Sequence, residues 1–246
     1  MKRRTFLKTA ATFSAVSVLT PSLTFANEEK NPFGITKKPR KFEVKNSYNF
    51  EQSKEITQLW IPLPKDEDYQ KVVSFKYDGN FSEAKIVKNP YNTRVLYVKW
   101  NDANIKPILD VNFGVVMQER TTDFSKATSN TNYPSEVLEF LEGTKHIPIT
   151  KGLTAYVNDI TKDSKTPLQK AQAIYDWTVS TMYRDESVIG CGIGDAQKSI
   201  EEKIYGGKCT DISSVFVCLL RNAKIPARET FGIRVGQSKI SNACGK

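Results

Sequence analysis

Histidine is almost absent from this sequence, which contains a single one, His146, among its 246 residues. Histidine is the usual general base in proteins because imidazole exchanges a proton near neutral pH. A mechanism that needs an imidazole must therefore use His146 or take a histidine from outside this chain. Lys145 and Pro148 flank His146, and such neighbours are typical of a surface loop, so we interpret His146 as an exposed loop residue.

Other absences narrow the function classes further. The four cysteines form no Cys-x-x-Cys pair and have no histidine beside them, so we expect no metal site, and no motif indicates a cofactor. The basic residues form neither a long block nor a stripe alternating with aromatics, which argues against nucleic-acid binding. Of the net charge of +9, four positive charges lie in residues 1–26. No segment after residue 26 is apolar enough to span a bilayer, so we do not expect an integral membrane protein.

The N-terminus has the layout of an export signal. Arg3 and Arg4 precede a Phe-Leu-Lys run, an apolar and small-residue stretch follows over residues 9–25, and the chain is expected to be cleaved after Ala26. The paired arginines resemble the twin-arginine motif, which predicts a periplasmic or secreted protein. An uncleaved membrane anchor is the alternative interpretation. Residues 27–40 are polar and contain two prolines, and we interpret them as a linker.

Residues 41–122 show the two-residue periodicity of half-buried strands. Turn-forming Asn, Asp, Gly and Pro residues separate the apolar runs, and several short strands at this spacing predict an antiparallel, sandwich-like β domain. The apolar positions that alternate with more polar ones are Thr57, Leu59, Ile61 and Leu63, then Leu96, Val98 and Trp100, then Leu109, Val111, Phe113 and Val115. We expect most aromatic side chains of this domain to lie in its core rather than to form a sugar-binding platform.

After a polar connector, helical patterns predict a second domain over residues 135–246. A β domain followed by a helical one predicts the α+β fold class. The clearest helix is predicted from about Thr166 to Tyr183, with Thr166 as N-cap, Pro167 at the first position and Gln169 completing a capping box. Its buried face is predicted to contain the apolar positions that recur every three or four residues. These are Leu168, Ala171, Tyr175, Thr178 and Met182.

Cys209 stands at the start of another predicted helix, directly after Gly206, Gly207 and Lys208. The apolar spacing predicts this helix to about Ala223, followed by a strand over residues 229–235. The amides and dipole at a helix N-terminus stabilise negative charge, and the thiolate is the reactive form of cysteine. The preceding glycines would let a substrate approach the sulfur, and a backbone N–H nearby could bind an acyl oxyanion. The position therefore favours a nucleophilic cysteine over a structural one.

This segment resembles the core motif of the transglutaminase-like superfamily. The pattern is Gly-x-Cys-x-Asp at a helix start, here Gly207, Cys209 and Asp211, then an apolar helix ending in Leu-Leu-Arg and an Ile-Pro-Ala-Arg run over residues 225–228. The resemblance covers residues 166–236 well and about 42–120 loosely. It implies a papain-like core in which a cysteine attacks an amide or ester carbonyl and forms a thioester, assisted by a histidine and an aspartate. It also implies that Cys209 is the catalytic nucleophile and that the substrate is a protein or peptide.

The histidine and aspartate of this family normally follow the region of Gly236, but no histidine follows it here. His146 precedes the cysteine, in the wrong chain order, and receives no catalytic role. We therefore expect a chain truncated before the two remaining triad members and inactive as it stands. We interpret Asp211, Arg221 and Arg228 as structural residues rather than catalytic ones.

The sequence leaves three interpretations of this chain open. The first is a peptidase, amidase or acyl transferase of the cell envelope, and the second is a non-catalytic envelope-binding or scaffold module. The third is a gene product that does not fold stably, because the helix face around Phe216 would lose its cover. Disulfides are permitted outside the cytoplasm, but the pairing of Cys191, Cys218 and Cys244 does not follow from the sequence.

Overall fold

A computed structural model describes residues 39–52, 55–89 and 93–234 of the chain. The expected signal peptide, most of the expected linker, Gly236 and Cys244 lie outside these residues. The chain divides into two compact units, one ending at Glu119 and the other spanning Arg120–Ile233. The predicted domain limits, 41–122 and 135–246, stay predictions. No helix within the described residues is both long and apolar enough to cross a membrane.

The first unit is built from two antiparallel sheets of three strands each. One sheet has the order β1–β6–β3 and the other the order β2–β5–β4, so β6 and β5 are the central strands. The strands are β1 (Arg40–Asn49), β2 (Thr57–Pro62), β3 (Gln70–Gly79), β4 (Glu83–Lys88), β5 (Arg94–Trp100) and β6 (Ile108–Met117). The three strands predicted from alternation correspond to β2, β5 and β6.

One apolar core joins the two sheets, since the same cluster contains residues of both central strands. Leu96, Val98 and Trp100 of β5 are at most 1% exposed, as are Leu109 and Val111 of β6. Each such side chain contributes about 1.5–3 kcal/mol by leaving water. The predicted alternation of these two strands is therefore confirmed, and the two packed sheets form the sandwich-like arrangement expected from the sequence.

Two tryptophans of the β unit have opposite environments. Trp100 is buried, and its indole Nε1 donates a hydrogen bond of 2.9 Å to Asn80 Oδ1. Trp60 of β2 is 57% exposed, and its ring lies 5.3 Å from the ring of Tyr97 on β5. The expectation that the aromatics lie in the core is confirmed for Trp100 and wrong for Trp60, which faces outward because it occupies the opposite phase of its strand.

The second unit is mostly helical. Its α-helices are α1 (Lys151–Ile160), α2 (Pro167–Thr181), α3 (Ala196–Glu201) and α4 (Cys209–Asn222), and two very short strands, β7 (Tyr183–Arg184) and β8 (Gly206–Gly207), pair in parallel. Two 3₁₀ helices, Phe124–Lys126 and Ser135–Leu141, precede α1. The fold therefore mixes antiparallel sheets with helices, which confirms the α+β class.

Helix α2 begins as the sequence predicts, but its buried face is rotated from the predicted one. Thr166 Oγ1 accepts the Gln169 amide at 3.2 Å, and Gln169 Oε1 accepts the Thr166 amide at 3.1 Å, which is a capping box. Ile174 and Thr178 are buried, whereas Tyr175 is 53% exposed. The predicted face is wrong at Tyr175 because that residue lies at the border of the apolar stripe, where its ring contacts the edge of Phe216.

Helix α4 forms the centre of the second unit. Val215, Leu219 and most of its other residues from Ser214 to Asn222 are buried, in one cluster with residues of α1, α2 and α3. Beyond the helix, Arg221 donates from Nε to the Ala227 carbonyl at 2.8 Å and from Nη1 to the Glu142 carbonyl at 2.7 Å. Arg221 is therefore structural, as expected. The predicted strand is wrong for residues 229–234, which are irregular.

Candidate active site

Cys209 is the first residue of α4, and its side chain is exposed. The pairing of the short strands β7 and β8 fixes the position of the chain just before Cys209. The Asp185 amide donates to the Gly207 carbonyl at 2.9 Å, which extends the β7–β8 pair by one hydrogen bond just before the helix. Lys208 then serves as the N-cap residue in extended conformation. The sulfur therefore lies at the N-terminus of α4, where the backbone amides and the helix dipole favour an anion.

The two glycines before the helix allow close packing of protein groups, not only access to the sulfur. A Cβ on Gly206 would come within 2.9 Å of the Tyr183 ring, and a Cβ on Gly207 would lie 2.6 Å from Asp211 Cβ. Both distances are shorter than side-chain atoms tolerate. The expectation that these glycines admit a substrate therefore stays a prediction, while their packing role follows directly from the distances.

Asp211 holds the entry of α4 against a neighbouring loop. Its Oδ1 accepts the amides of Ile193 and Gly194, each at 2.8 Å, and its Oδ2 accepts the amide of Lys208 at 2.9 Å. Partial burial alone would raise the pKa of Asp211, but these hydrogen bonds outweigh it and the net effect is a lowered pKa. Asp211 therefore stays ionised and organises the backbone around Cys209, which agrees with the structural role expected for it.

The loop that Asp211 holds, residues 190–194, requires glycine at defined positions. Gly192 has a φ of 93° and Gly194 a φ of 75°, in the left-handed region that glycine adopts without strain. A Cβ on Gly192 would overlap the Asp211 carboxylate, and a Cβ on Gly194 would lie 2.8 Å from Ser214 Oγ. The Cys191 carbonyl accepts the Thr210 amide at 3.2 Å. The loop thus covers one side of the first turn of α4.

A charged cluster lies on another side of the sulfur. The Arg184 guanidinium places Nη1 3.6 Å from Cys209 Sγ and pairs through Nε with Glu186 Oε1 at 2.6 Å. Lys208 Nζ lies 2.6 Å from Glu186 Oε2, and the Lys208 side chain is only 9% exposed. Hydrogen bonds from Lys208 and Arg184 lower the pKa of Glu186 to about 2, so its carboxylate is charged at any physiological pH.

This cluster, Arg184 with Glu186 and Lys208, was missed by sequence reasoning. Arg184 and Glu186 stand 23 to 25 positions before Cys209, in a segment with no helical or strand periodicity. Lys208 was visible as the direct neighbour of Cys209, but its sequence position does not reveal that it is buried and paired. Only the parallel pairing of β7 with β8 brings the three charges to one place.

The sulfur opens onto a cleft of about 350 Å³. One wall is α4, with Ser213, Phe216 and Val217, and the other is the irregular segment after the helix, residues 228–232. Ser214 Oγ donates to Glu229 Oε1 at 2.8 Å and ties the two walls together. The Arg228 guanidinium lies 5.4 Å from the centre of the Phe140 ring. The cleft therefore combines aromatic and charged surfaces beside an exposed thiol.

The backbone also offers a hydrogen-bond donor at the thiol. Among the residues that the structure describes, no atom accepts the N–H of Cys209 itself. A free amide at a helix N-terminus, adjacent to a nucleophilic sulfur, is the kind of donor that stabilises an acyl oxyanion. The sequence left open which N–H would serve, and the structure favours that of Cys209.

The remaining candidate residues lie apart from the sulfur or play structural roles. His146 is exposed, its carbonyl accepts the Ala196 amide at 3.1 Å, and within the described part of the chain no imidazole contacts Cys209 Sγ. Cys191 and Cys218 are free thiols, and Cys218 is buried. No group of three or more metal-binding side chains occurs in the described ranges. The site thus has an exposed thiol, a cationic neighbour and a backbone N–H that no described residue accepts.

Comparisons with known proteins are consistent with this geometry. Residues 154–245 match the family model of the Transglutaminase-like superfamily. An uncharacterized protein from Haemophilus influenzae is 35% identical over 235 residues, which is 92% of this chain and 64% of that relative. The structure of a "Putative Cysteine Protease" from Cytophaga hutchinsonii superposes with a TM-score of 0.63 at 16% identity, over 77% of this chain and 65% of that one. This likeness shows the shared fold, and the chain spans just under two thirds of the length of both proteins.

Proposed function

We propose that the chain belongs to the transglutaminase-like superfamily, whose family model matches residues 154–245, and that Cys209 is the nucleophile of an acyl-transfer or hydrolytic reaction on a peptide or protein. The fold supports membership of a thiol-enzyme family. The observation that carries the proposal is the exposed Cys209 sulfur at the first residue of α4, next to a cleft and 3.6 Å from the Arg184 guanidinium.

The chemistry follows from these groups. The thiolate attacks the carbonyl carbon of an amide or ester, a C–S bond forms, and the carbonyl oxygen becomes an oxyanion beside the Cys209 N–H. Collapse of this intermediate breaks the bond to the amine or alcohol, which leaves with a proton. The thioester that remains is then resolved by water, giving hydrolysis, or by an amine, giving acyl transfer.

Both the departure of an amine in the first half and the attack of water or an amine in the second half need proton transfer, which the described residues around the sulfur do not provide. The single histidine of the sequence, His146, shows no contact with Cys209. An arginine does not deprotonate in proteins and cannot act as a base. We therefore propose that the described site forms the acyl-enzyme readily from an activated ester, whose leaving group departs as a stable anion, but reacts slowly with an amide and releases the acyl group slowly.

The lining of the cleft supports a peptide or protein as the substrate. The cleft beside Cys209 is bounded by Phe216 and Phe231 as well as by Arg228 and Glu229, a mixed lining that suits a peptide.

The Arg3–Arg4 pair supports export through the twin-arginine route. Replacing both arginines with lysine should leave an uncleaved precursor in the cytoplasmic fraction, and a processed, exported double variant would contradict this route.

Acyl-enzyme formation tests the nucleophile directly. We would incubate the full chain with p-nitrophenyl acetate near neutral pH, follow the release of p-nitrophenolate, and locate the acetyl group by mass spectrometry of peptides. We expect one acetyl group, on Cys209, with a burst of about one equivalent and slow release afterwards, because attack precedes a step that lacks a base.

The matched control is a second exposed thiol of the same unit. Cys209→Ala should abolish the burst, whereas Cys191→Ala should leave it unchanged, since no cation among the described residues contacts the Cys191 sulfur. Equal acetylation of Cys191 and Cys209 would contradict the proposal. An inert Cys209 would favour the alternative of a non-catalytic envelope-binding module.

A further inference from the structure

We propose that Arg184 is the ion-pair partner that holds Cys209 as a thiolate, and that Glu186 and Lys208 position its guanidinium for this purpose. The inference deepens the proposed function, since it concerns how the same nucleophile is made reactive. Arg184 contacts the reacting atom, whereas Glu186 and Lys208 act only through Arg184.

The orientation of Arg184 is the first support. Glu186 binds one edge of the guanidinium through two nitrogens, with Nε donating to Oε1 at 2.6 Å and Nη2 donating to Oε2 at 3.4 Å. The remaining nitrogen, Nη1, donates toward Cys209 Sγ at 3.6 Å. Because the group is planar, a carboxylate bound to Nε and Nη2 fixes its plane, and the third nitrogen then points toward the sulfur.

The anchoring of Glu186 is the second support. Lys208 Nζ lies 2.6 Å from Glu186 Oε2, and the Lys208 side chain is largely buried. Lys208 is also the residue directly before Cys209 and the N-cap of α4. The cluster therefore connects the end of β7 to the start of the helix. Displacing the Glu186 carboxylate would leave the largely buried Lys208 ammonium without this partner, which is costly, so Glu186 is a fixed acceptor for Arg184.

The other charged groups near the sulfur have partners of their own. The Asp211 carboxylate accepts three backbone amides, the Asp185 carboxylate accepts the amide and hydroxyl of Ser187, and Glu229 accepts Ser214 Oγ. In the cleft, Arg228 lies over the Phe140 ring. Arg184 is the cation for which the described residues show a direct contact with Cys209 Sγ.

An arginine partner has a consequence that distinguishes it from an imidazole. The guanidinium stays protonated at all relevant pH values, so the pair stabilises the thiolate without a second titration. The rate of Cys209 alkylation should then rise with pH in a single step, in which the thiolate displaces iodide from iodoacetamide. An imidazole partner would instead add a second inflection near neutral pH.

The experiment measures the iodoacetamide alkylation rate of Cys209 from about pH 5 to about pH 10, resolved by mass spectrometry of peptides, in a graded series at residue 184. Relative to the unaltered chain, Arg184→Gln should slow alkylation near neutral pH about threefold, as the loss of an exposed ion pair implies. Arg184→Glu should slow it further, and Arg184→Lys should recover most of the rate. The difference between the unaltered chain and Arg184→Gln should shrink at high salt.

Two controls separate this effect from a structural one. Lys198→Ala removes an exposed positive charge from α3 in the same unit and should leave the Cys209 profile unchanged. Cys191 is measured in the same samples, and its rate should not follow residue 184. Identical profiles for the unaltered chain, Arg184→Gln and Arg184→Glu would overturn the inference, as would a salt-independent difference. If instead these profiles shift as expected but no acetyl-enzyme forms, the proposed function fails while the ion pair stands.

Discussion

Two cysteines on one helix have opposite surroundings. Cys209 opens α4, is exposed, and faces the Arg184 guanidinium. Cys218 lies nine residues further along, is fully buried, and directs its Sγ at the Pro148 carbonyl at 3.4 Å. Burial raises the pKa of the Cys218 thiol to about 12, although Arg221 and Asn222 act in the opposite direction.

Both residues are cysteines, so any difference in their reactivity comes from their positions in the helix. At the first turn, the Cys209 amide, which no described residue accepts, the helix dipole and a nearby cation all favour an anion. In the middle of the helix the amides are already bonded, and apolar neighbours such as Leu219 disfavour any charge. One helix therefore carries a candidate nucleophile and an inert structural thiol.

The largest expected effect is the difference in alkylation between these two cysteines. An ordinary exposed thiol is a few per cent ionised near neutral pH, and a pKa of about 12 leaves roughly a thousandfold less thiolate. In the folded protein we expect iodoacetamide to modify Cys209 at least about 10³ times faster than Cys218. Peptide mass spectrometry after timed quenching measures both rates, and the ratio should collapse in urea. Comparable alkylation rates of the two cysteines in the folded state would contradict this expectation.

The next effect concerns the glycines that shape the entrance of α4. Gly192→Ala should lower the free energy of unfolding by about 3 kcal/mol or more, because a Cβ would overlap the Asp211 carboxylate at a positive φ. Gly190→Ala is the matched control, since Gly190 has a φ of 74° with nothing within 4 Å of a Cβ. It should cost only about 1 kcal/mol of backbone strain. Urea titrations measure both, and equal losses would refute the role of Asp211 packing.

A smaller effect is expected at Asp211 itself. Asp211→Asn keeps the shape but replaces one acceptor oxygen with a donor group, so we expect a loss of about 1–3 kcal/mol at neutral pH. The folded-state pKa of Asp211 is lowered, so its carboxylate stabilises the fold above the unfolded-state pKa, and this contribution is lost as the pH falls through the folded value. The gap between the two proteins should therefore close below about pH 4.

The exposed Asp159, which lies 4.0 Å from Lys162 Nζ, provides the control for that measurement. Asp159→Asn should change the free energy of unfolding by less than about 0.5 kcal/mol, as is usual for an exposed ion pair. Thermal melts at neutral pH and near pH 3 measure both variants. A gap for Asp211→Asn that is independent of pH would show that its charge is not what stabilises the loop.

The sequence allowed a large part of the fold to be predicted. The alternation in β5 and β6, the capping box of α2 and the start of α4 at Cys209 all depend on residues close together in the chain, so local physics determines them. The errors lie where distant contacts decide. Tyr175 was placed on the buried face of α2, and residues 229–234 were expected to form a strand, which requires a partner strand that the local sequence does not specify.

The candidate site was predicted only at its centre. Cys209 was identified because a cysteine after two glycines at a helix start has a local signature. Its neighbours Arg184 and Glu186 were not, because no periodicity marks residues that meet through a two-residue parallel pairing. The role of Gly207 was also interpreted too narrowly, since the contact between its position and Asp211 Cβ is a tertiary one.

By itself, the sequence determined strands β2, β5 and β6, the capped start of α2 and the thiol that begins α4, because apolar periodicity, capping and glycine position act over a few residues. The tertiary structure alone decided that Arg184 faces the Cys209 sulfur, that Lys208 is buried against Glu186, and that Cys218 is sealed in the core. The physical reason is that charge contact and burial depend on distances through space between residues that are far apart in the chain, which no local pattern encodes.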